Sequence, residues 1–171
     1  MKKDARQAKY NDIAMMAYCI ASEVLMGKYP KKAEQKHQEA TGILEEMARK
    51  EIPFPVFKRI NFTLEEILAR LEETQTALCL YDGMKSFFSS VRRAPSAPPE
   101  EAGRCRELRE AVNREAAELK MLVQPEFQEY IDRYLSAVLA EQEYKVACFR
   151  NLLFSMLKDL RDFAEETRPE S

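Results

Sequence analysis

The sequence predicts an all-α protein, and three observations support that fold class. Good helix formers (Glu, Ala, Leu, Lys, Arg and Met) dominate the composition, which includes only 4 Gly and no Trp. Apolar residues recur every three or four positions, as on one face of a helix, and no alternating β-branched run indicates a strand. A chain of 171 residues can bury one core. We therefore expect a single domain over residues 1–171, an antiparallel helical bundle of about five helices.

The first predicted helix, from Asp4 to Met26, is apolar nearly all the way round. Its main stripe consists of Tyr10, Ile13, Ala17, Ile20 and Val24. The apolar residues away from that stripe are Met15, Met16, Cys19 and Met26. A helix of this kind is central in a bundle or shared with another chain, so we expect the three methionines to lie at an interface.

The second and third predicted helices are separated by the sequence "IPFPVF". The second begins at Pro30 and reaches Lys50, with a stripe of Ala33, His37, Ala40, Leu44 and Met47. The two prolines should then break it, because proline lacks an N–H donor and disfavours helix in the preceding residue. Thr63 and Glu66 form a capping box inside the hydrophobic staple of Phe62 and Ile67, which predicts that the third helix begins at Thr63.

The third helix changes its apolar face along its length. Its first half presents Leu64, Ile67, Leu68 and Leu71. After Cys79 the apolar residues Leu80, Met84, Phe87 and Val91 lie on roughly the opposite side, at about 100° per residue. Either the helix breaks at Asp82–Gly83, or its second half faces another partner. The latter alternative adds Met84, Phe87, Phe88 and Val91 to the predicted interface.

The last two predicted helices follow a loop at 94–99. The fourth runs from Pro99 to Val123, with a stripe of Cys105, Leu108, Val112, Ala116, Leu119 and Val123. The fifth runs from Pro125 to Glu166, and a frayed tail follows at 167–171. At about 60 Å the fifth helix is too long for a compact domain of this size. It must kink, project or pair with another chain, which is our main reason to expect a homodimer.

A weak internal repeat relates the two parts of the chain that flank this loop. "PVFKRI" resembles "PEFQEY", and "LCLYDGMKSFFSSVR" aligns with "ACFRNLLFSMLKDLR" at an offset of 69–70 residues. The repeat predicts two duplicated long helical hairpins, 30–93 and 99–166, with the N-terminal helix as an addition. Duplication and chance both remain open from the sequence.

Charge, cysteine content and hydropathy narrow the class of protein. The net charge is −2, divided as +4 over residues 1–60 and −6 over 61–171; this is not the basic balance of a nucleic-acid binder, and it favours self-association. Four dispersed cysteines, three of them inside apolar helical runs, predict buried free thiols, and a single histidine predicts no zinc site and no cofactor. The longest apolar run, 13–26, is short of the roughly 20 residues that span a bilayer. We expect a cytoplasmic protein without a membrane segment.

Two clusters of basic residues are candidate contacts for an acidic partner or a phosphate. The first consists of Lys28, Lys31, Lys32 and Lys36, and the second of Arg92 and Arg93 with Arg104, Arg106 and Arg109. No aromatic residues alternate with the arginines, so a stacking surface for single-stranded nucleic acid is not evident. Solvated charge is the default interpretation, and nucleic-acid contact is the weakest functional hypothesis.

Four carboxylates offer the alternative enzymatic interpretation. Glu107-x-x-Glu110 followed by Glu129-x-x-Asp132 resembles the ExxE…ExxD pattern of the all-α nucleotide pyrophosphatases, the MazG-like family. That resemblance, which covers residues 107–132, implies a Mg²⁺-dependent pyrophosphatase whose carboxylates hold the metal against a triphosphate. Glu107 and Glu110 lie opposite the apolar stripe of their helix, which favours a solvated face instead.

The remaining polar candidates lie on predicted apolar stripes. His37 is either a pH-sensitive contact or, as we prefer, a stripe-edge histidine satisfied by one hydrogen bond. Glu141, Gln142 and Lys145 interrupt the stripe of the fifth helix. We expect Glu141 and Lys145 to pair at i, i+4. Whether these three residues form a buried polar layer or an exposed stretch stays open.

The leading functional hypothesis is a non-enzymatic helical interaction protein, such as an adaptor, regulator or chaperone-like module. It would bind partner helices, or a second copy of itself, through Met- and Phe-rich surface. The pyrophosphatase is the alternative.

Overall fold

A computed structural model describes the backbone of residues 15–16, 18–21, 23–24, 29–88 and 100–166. Across these residues every regular element is helical and none is a strand, which confirms the predicted all-α class. The elements are α1 (Lys31–Arg49), α2 (Phe54–Arg59), a π-helical turn (Ile60–Leu64), α3 (Glu65–Phe88), α4 (Glu100–Met121) and α5 (Pro125–Glu166). The described residues between 15 and 24 are helical too and are called the N-terminal segment.

The helices pack as an antiparallel bundle centred on α5. The most extensive contact of α1 is with α5, while α3 packs against both α4 and α5. α4 also contacts α5 and the π-helical turn. The main partner of α1 is therefore α5, which belongs to the second predicted hairpin. The two predicted hairpins thus do not pack as separate pairs.

The end of α1 has the geometry of a Schellman motif. The N–H of Ile52 bonds to the carbonyl of Met47 at 3.4 Å, and the N–H of Glu51 bonds to that of Ala48 at 3.3 Å. Ile52 and Met47 are both buried, which is the apolar contact that accompanies this motif. Glu51 has a φ of 55°, a left-handed conformation that glycine adopts more easily. The predicted break before the prolines is therefore present, and Glu51 makes the turn.

The predicted start of the third helix at Thr63 is wrong. The chain is helical from Phe54 to Phe88, because α2 continues through the π-helical turn into α3 with right-handed backbone at each junction. Phe62 is 71% exposed and therefore forms no buried staple. Pro53 and Pro55 lie at the first turn of α2, where proline is tolerated. The side chains of Val56, Ile60 and Leu64 are all buried, which holds the π-helical turn in place against the core.

α3 passes through Asp82–Gly83 without a break, so the first of the two sequence alternatives is wrong. α5 is one α-helix of 42 residues, about 63 Å long at 1.5 Å per residue. A short turn joins α4 to α5. Across this turn, Gln128 Nε2 donates to the Lys120 carbonyl at 3.2 Å.

Two groups of buried apolar residues lie along α5. The main core collects side chains from α1, α2, the π-helical turn, α3, α4 and the first half of α5, including Met47, Val56, Leu64, Leu119 and Ile131. The distal core consists of Ala21, Cys79, Phe149, Leu153 and Leu157. The predicted α4 stripe is confirmed, with Cys105, Val112, Ala116, Leu119 and Val123 all buried.

Candidate interaction surfaces

The N-terminal segment packs one side against α5 and exposes the other. Ala21 is fully buried, and Tyr18 meets Phe149 edge to face with ring centroids 5.1 Å apart. Met15 and Met16, which the sequence assigns to an interface, are 49% and 61% exposed. The predicted stripe is wrong here, because Ile20 is exposed while its neighbour Ala21 faces the core.

These exposed residues share one helical face. At about 100° per residue, Met15, Met16, Cys19 and Ile20 fall within an arc of roughly 140°. All four are exposed, and the buried Ala21 lies outside the arc, whereas the exposed Glu23 lies within it at the end of the segment. We call this set the N-terminal apolar face.

The remaining predicted interface residues fall outside what the structure describes. Met26 and Val91 lie outside the described residues altogether. Met84, Phe87 and Phe88 lie on the described backbone of α3, but their side chains are outside the described part. Their assignment to an interface therefore stays a prediction.

The first basic cluster is on the surface of α1. Lys31 and Lys32 are exposed, and the Lys32 ammonium lies 5.7 Å from the centre of the Tyr144 ring. Lys36 pairs with Glu39 of the same helix at 3.0 Å. Lys28, Arg92 and Arg93 lie outside the described residues. The described lysines form a solvated helix face.

The four carboxylates of the enzymatic alternative are all exposed. Glu107 and Glu110 lie on the outer side of α4, as their spacing predicts, and Glu129 is on the surface of α5. Asp132 pairs with Lys120. Among the described side chains, no group of three or more His, Cys, Asp and Glu residues is arranged to hold a metal ion. This geometry gives the pyrophosphatase interpretation no support.

A polar layer connects α1, α3 and α5 at the level of Glu141. The Tyr29 hydroxyl donates to the Glu141 carboxylate, and His37 Nδ1 lies 3.2 Å from Glu141 Oε1. Lys145 pairs with Glu72 of α3 at 2.6 Å. The expected Glu141–Lys145 ion pair is therefore wrong. Each of the two side chains pairs with a residue on another element, because that residue lies closer to it than the residue one turn away on α5.

Gln142 completes the polar layer from inside the bundle. It is buried, and its Nε2 donates to the Leu68 carbonyl at 2.8 Å, while its Oε1 has no partner within the described residues. Glu141 and Lys145 are half-buried, so the layer is buried at Gln142 and partly exposed at its other members. Burial, followed by the neighbouring Glu141 carboxylate, raises the pKa of Tyr29 above its usual range. The layer fixes the position of α5 relative to α1 and α3 through hydrogen bonds.

A second polar contact joins the π-helical turn region to α4. Arg59 donates from Nε and Nη2 to the two carboxylate oxygens of Glu115 at 2.8 and 2.7 Å, and it also bonds Glu118. The Glu115 side chain is 9% exposed. The hydrogen bonds to Glu115 and then Glu118 raise the pKa of Arg59 above its usual range. Sequence analysis missed this pair because its partners are far apart in the chain.

Four large apolar side chains are exposed near the opposite end of the bundle from the distal core. They are Phe54 (76%), Phe62 (71%), Met121 (84%) and Leu122 (46%). The Arg59–Glu115 contact and the packing of the π-helical turn on α4 place these segments at the same end of the bundle. We call these residues the bundle-end cluster. The sequence pattern assigned Phe62 to a hydrophobic staple with a buried partner, and so did not predict that its side chain is exposed.

A groove of about 970 Å³ lies between α3, α4 and α5. Each helix lines it at the alternating four- and three-residue spacing of a helix-packing seam. The seam residues are Leu71, Gln75 and Leu78 on α3, and Cys105, Arg109 and Val112 on α4. On α5 they are Leu139, Glu143, Val146 and Arg150. This spacing is visible in the sequence, but it could not be assigned to a groove without knowing which helices are neighbours.

The sequence predicts buried free thiols for three of the four cysteines, and two of the four are buried. Cys79 and Cys105 are buried and line the groove, Cys148 is half-buried and Cys19 is exposed. Burial raises the pKa of the Cys79 thiol, although the nearby Arg150 opposes that effect. Cys79 is thus a weakly reactive part of the groove floor.

No helix in the described part of the chain is long and apolar enough to cross a membrane. Comparison with protein families, curated proteins and solved structures gives no match to this chain. The molecule itself therefore provides the evidence for function, and its main candidates are the N-terminal apolar face, the bundle-end cluster and the groove.

Proposed function

We propose that this chain is a non-enzymatic interaction protein, of the adaptor or regulator type, that pairs with a second copy of itself and binds helices of other proteins. The observation that carries the proposal is the N-terminal apolar face. Its three large members, Met15, Met16 and Ile20, are each more than two-fifths exposed, although the same segment buries its other side. Exposed apolar side chains grouped on one helical face beside a charged residue are typical of interaction sites.

The occupant proposed for the N-terminal apolar face is the same face of a second copy. Methionine adapts to irregular apolar partners, and a two-fold contact needs only one self-complementary patch.

The bundle-end cluster supports the same class of function at a different place. Phe54, Phe62 and Met121 are more than two-thirds exposed. Aromatic residues and methionine are enriched in the centres of protein–protein interfaces. Two separate apolar surfaces suit an adaptor, because one can hold the second copy while the other contacts a partner.

Light scattering after size-exclusion chromatography tests the dimer. The wild-type chain should elute with the mass of two copies, and Met16→Glu should give the mass of one, because a charge would be buried in the contact. Gln38→Glu, on the exposed side of α1, introduces the same charge elsewhere and should leave the dimer intact. A wild-type monomer at high concentration contradicts the proposal, as does a Met16→Glu variant that still forms the dimer.

A further inference from the structure

The α3–α4–α5 groove has the lining of a bundle position that accepts one more helix. All three walls present residues at four- and three-residue steps, such as Leu71, Gln75 and Leu78 on α3. Side chains at this spacing face a neighbouring helix in bundles and coiled coils. The α5 wall extends from Leu139 to Phe154, which is about 22 Å or four turns of helix.

The floor of the groove is apolar, and its charged positions are mainly basic. Arg109 lies on the α4 wall and Arg150 on the α5 wall, and the acidic lining residue is Glu143, about two turns before Arg150 on α5. In the described part of the chain neither arginine forms an ion pair. The Arg150 guanidinium lies 5.1 Å from the centre of the Phe154 ring, a cation–π contact that holds it beside the groove.

We propose that this groove binds an amphipathic helix of another protein, with an apolar face in the groove and acidic side chains that pair with Arg109 and Arg150. An apolar face at i, i+3, i+4 and i+7 would lie on the floor, as in other helix-in-groove complexes. The carboxylates would supply charge complementarity and orientation. The inference depends on the proposed interaction role but not on the dimer, which uses a different surface.

A helix fits these observations better than a small molecule does. The groove's volume is at the upper end of the roughly 300–1,000 Å³ that small-molecule sites occupy. Its lining is a set of parallel seams extending over several turns, which matches the repeat of a helix. Two separated arginines on different walls also suit charges distributed along a helix more than one head group.

Fluorescence anisotropy with a matched pair of labelled synthetic peptides tests the inference. Each peptide is a helix of about 20 residues with the same leucine face, one flanked by Glu and the other by Lys. The acidic peptide should bind at least about tenfold more tightly than the basic one, and less tightly as salt is added. In the double variant Arg109→Glu/Arg150→Glu, the preference for the acidic peptide over the basic one should disappear.

Two further variants locate the binding site. Ala147→Trp places a large side chain in the groove from an exposed position of α5 and should abolish binding of both peptides, while circular dichroism reports an intact fold. Arg114→Glu makes the same charge reversal as Arg109→Glu on the same helix, at an exposed residue outside the groove. It should change the affinity by less than about twofold.

Several results would overturn the inference. Binding that survives Ala147→Trp would place the site elsewhere, and equal affinity for the two peptides would remove the role of the arginines. A chain that binds neither peptide but enhances the fluorescence of an apolar dye, with the enhancement lost in Ala147→Trp, would assign the groove to a small apolar ligand. If peptide binding fails while the dimer forms, the proposed dimer stands and only this inference fails. If the acidic peptide binds a monomer, the groove stands and the dimer fails.

Discussion

The main core and the distal core lie along the same two helices, α3 and α5, but differ in how many neighbours enclose them. Around the main core α1, α2 and α4 complete the shell, and Leu119 and Leu64 are fully buried. Around the distal core the described neighbours are α3 and the N-terminal segment. As fewer elements surround α5, apolar surface that a full bundle would bury becomes available to a partner. The N-terminal apolar face and the groove both lie where this enclosure decreases.

The largest predicted effect is a difference between two leucines, both fully buried and each in one core. Leu119→Ala should lower the free energy of unfolding by about 3–5 kcal/mol, because the enclosed main core cannot collapse around the cavity. Leu153→Ala should cost about 2–3 kcal/mol, because its less enclosed surroundings can relax. Urea denaturation followed by circular dichroism measures both. Equal losses would mean that the two cores are equally rigid.

The next effect concerns the ion pair that joins the π-helical turn region to α4. Arg59→Gln leaves the largely buried Glu115 carboxylate without its two-point partner, and it should reduce stability by about 2 kcal/mol. Arg70→Gln is the matched control, since Arg70 and Glu66 are both at least 60% exposed. That change should stay below about 0.5 kcal/mol. If Arg70→Gln lowers the free energy of unfolding as much as Arg59→Gln does, burial is not what makes the Arg59–Glu115 pair stronger.

Alkaline pH should test the main core through Tyr134, which is 4% exposed. Burial, followed by nearby Glu65 and Glu141, raises the pKa of Tyr134 above its usual range. Above about pH 10 the unfolded chain loses a proton that the folded chain keeps, so stability falls as pH rises, by up to about 1.4 kcal/mol per pH unit. Tyr134→Phe should make this decline shallower. Urea midpoints at pH 9 and pH 11 measure it, and an unchanged slope would contradict the assignment.

The smallest effect is a gain at the end of α1. Glu51→Gly should raise the free energy of unfolding by about 0.5–1 kcal/mol, because glycine adopts a positive φ without strain. Glu51→Ala provides the control, since alanine keeps the strained Cβ and should give no gain. Thermal melting of the three proteins measures the difference. A destabilising Glu51→Gly would indicate that the Glu51 side chain makes a larger contribution than the relief of backbone strain.

Periodicity and helix-end signals predicted the parts of the fold that depend on local sequence. Pro30, the prolines of "IPFPVF" and Pro125 mark helix boundaries correctly, and the α4 stripe is buried as its spacing requires. These signals succeed because proline chemistry and amphipathic spacing act within a few residues of the chain.

The errors arise where a distant neighbour decides the outcome. The capping box at Thr63 is a valid local signal, but burial of Ile60 and Leu64 favours a continuous helix. The groove and the Arg59–Glu115 pair require knowledge of which helices adjoin, which no single-chain pattern contains. The N-terminal stripe failed for a related reason: on a helix that is apolar all round, packing rather than spacing selects the buried face.

The π-helical turn also acts as a phase adjustment between two lengths of helix. Its wider turn accommodates one residue more than a regular helix would, so Val56 upstream and Leu68 downstream both face the same core. Deleting one residue between 60 and 64 would restore the regular pitch and leave Val56 eleven residues from Leu68, a rotation of only about 20°. Keeping all twelve residues in a regular helix would instead rotate Val56 by about 120° relative to Leu68, away from the core. The wide turn therefore absorbs one residue of extra length without moving the faces of the helix on either side of it.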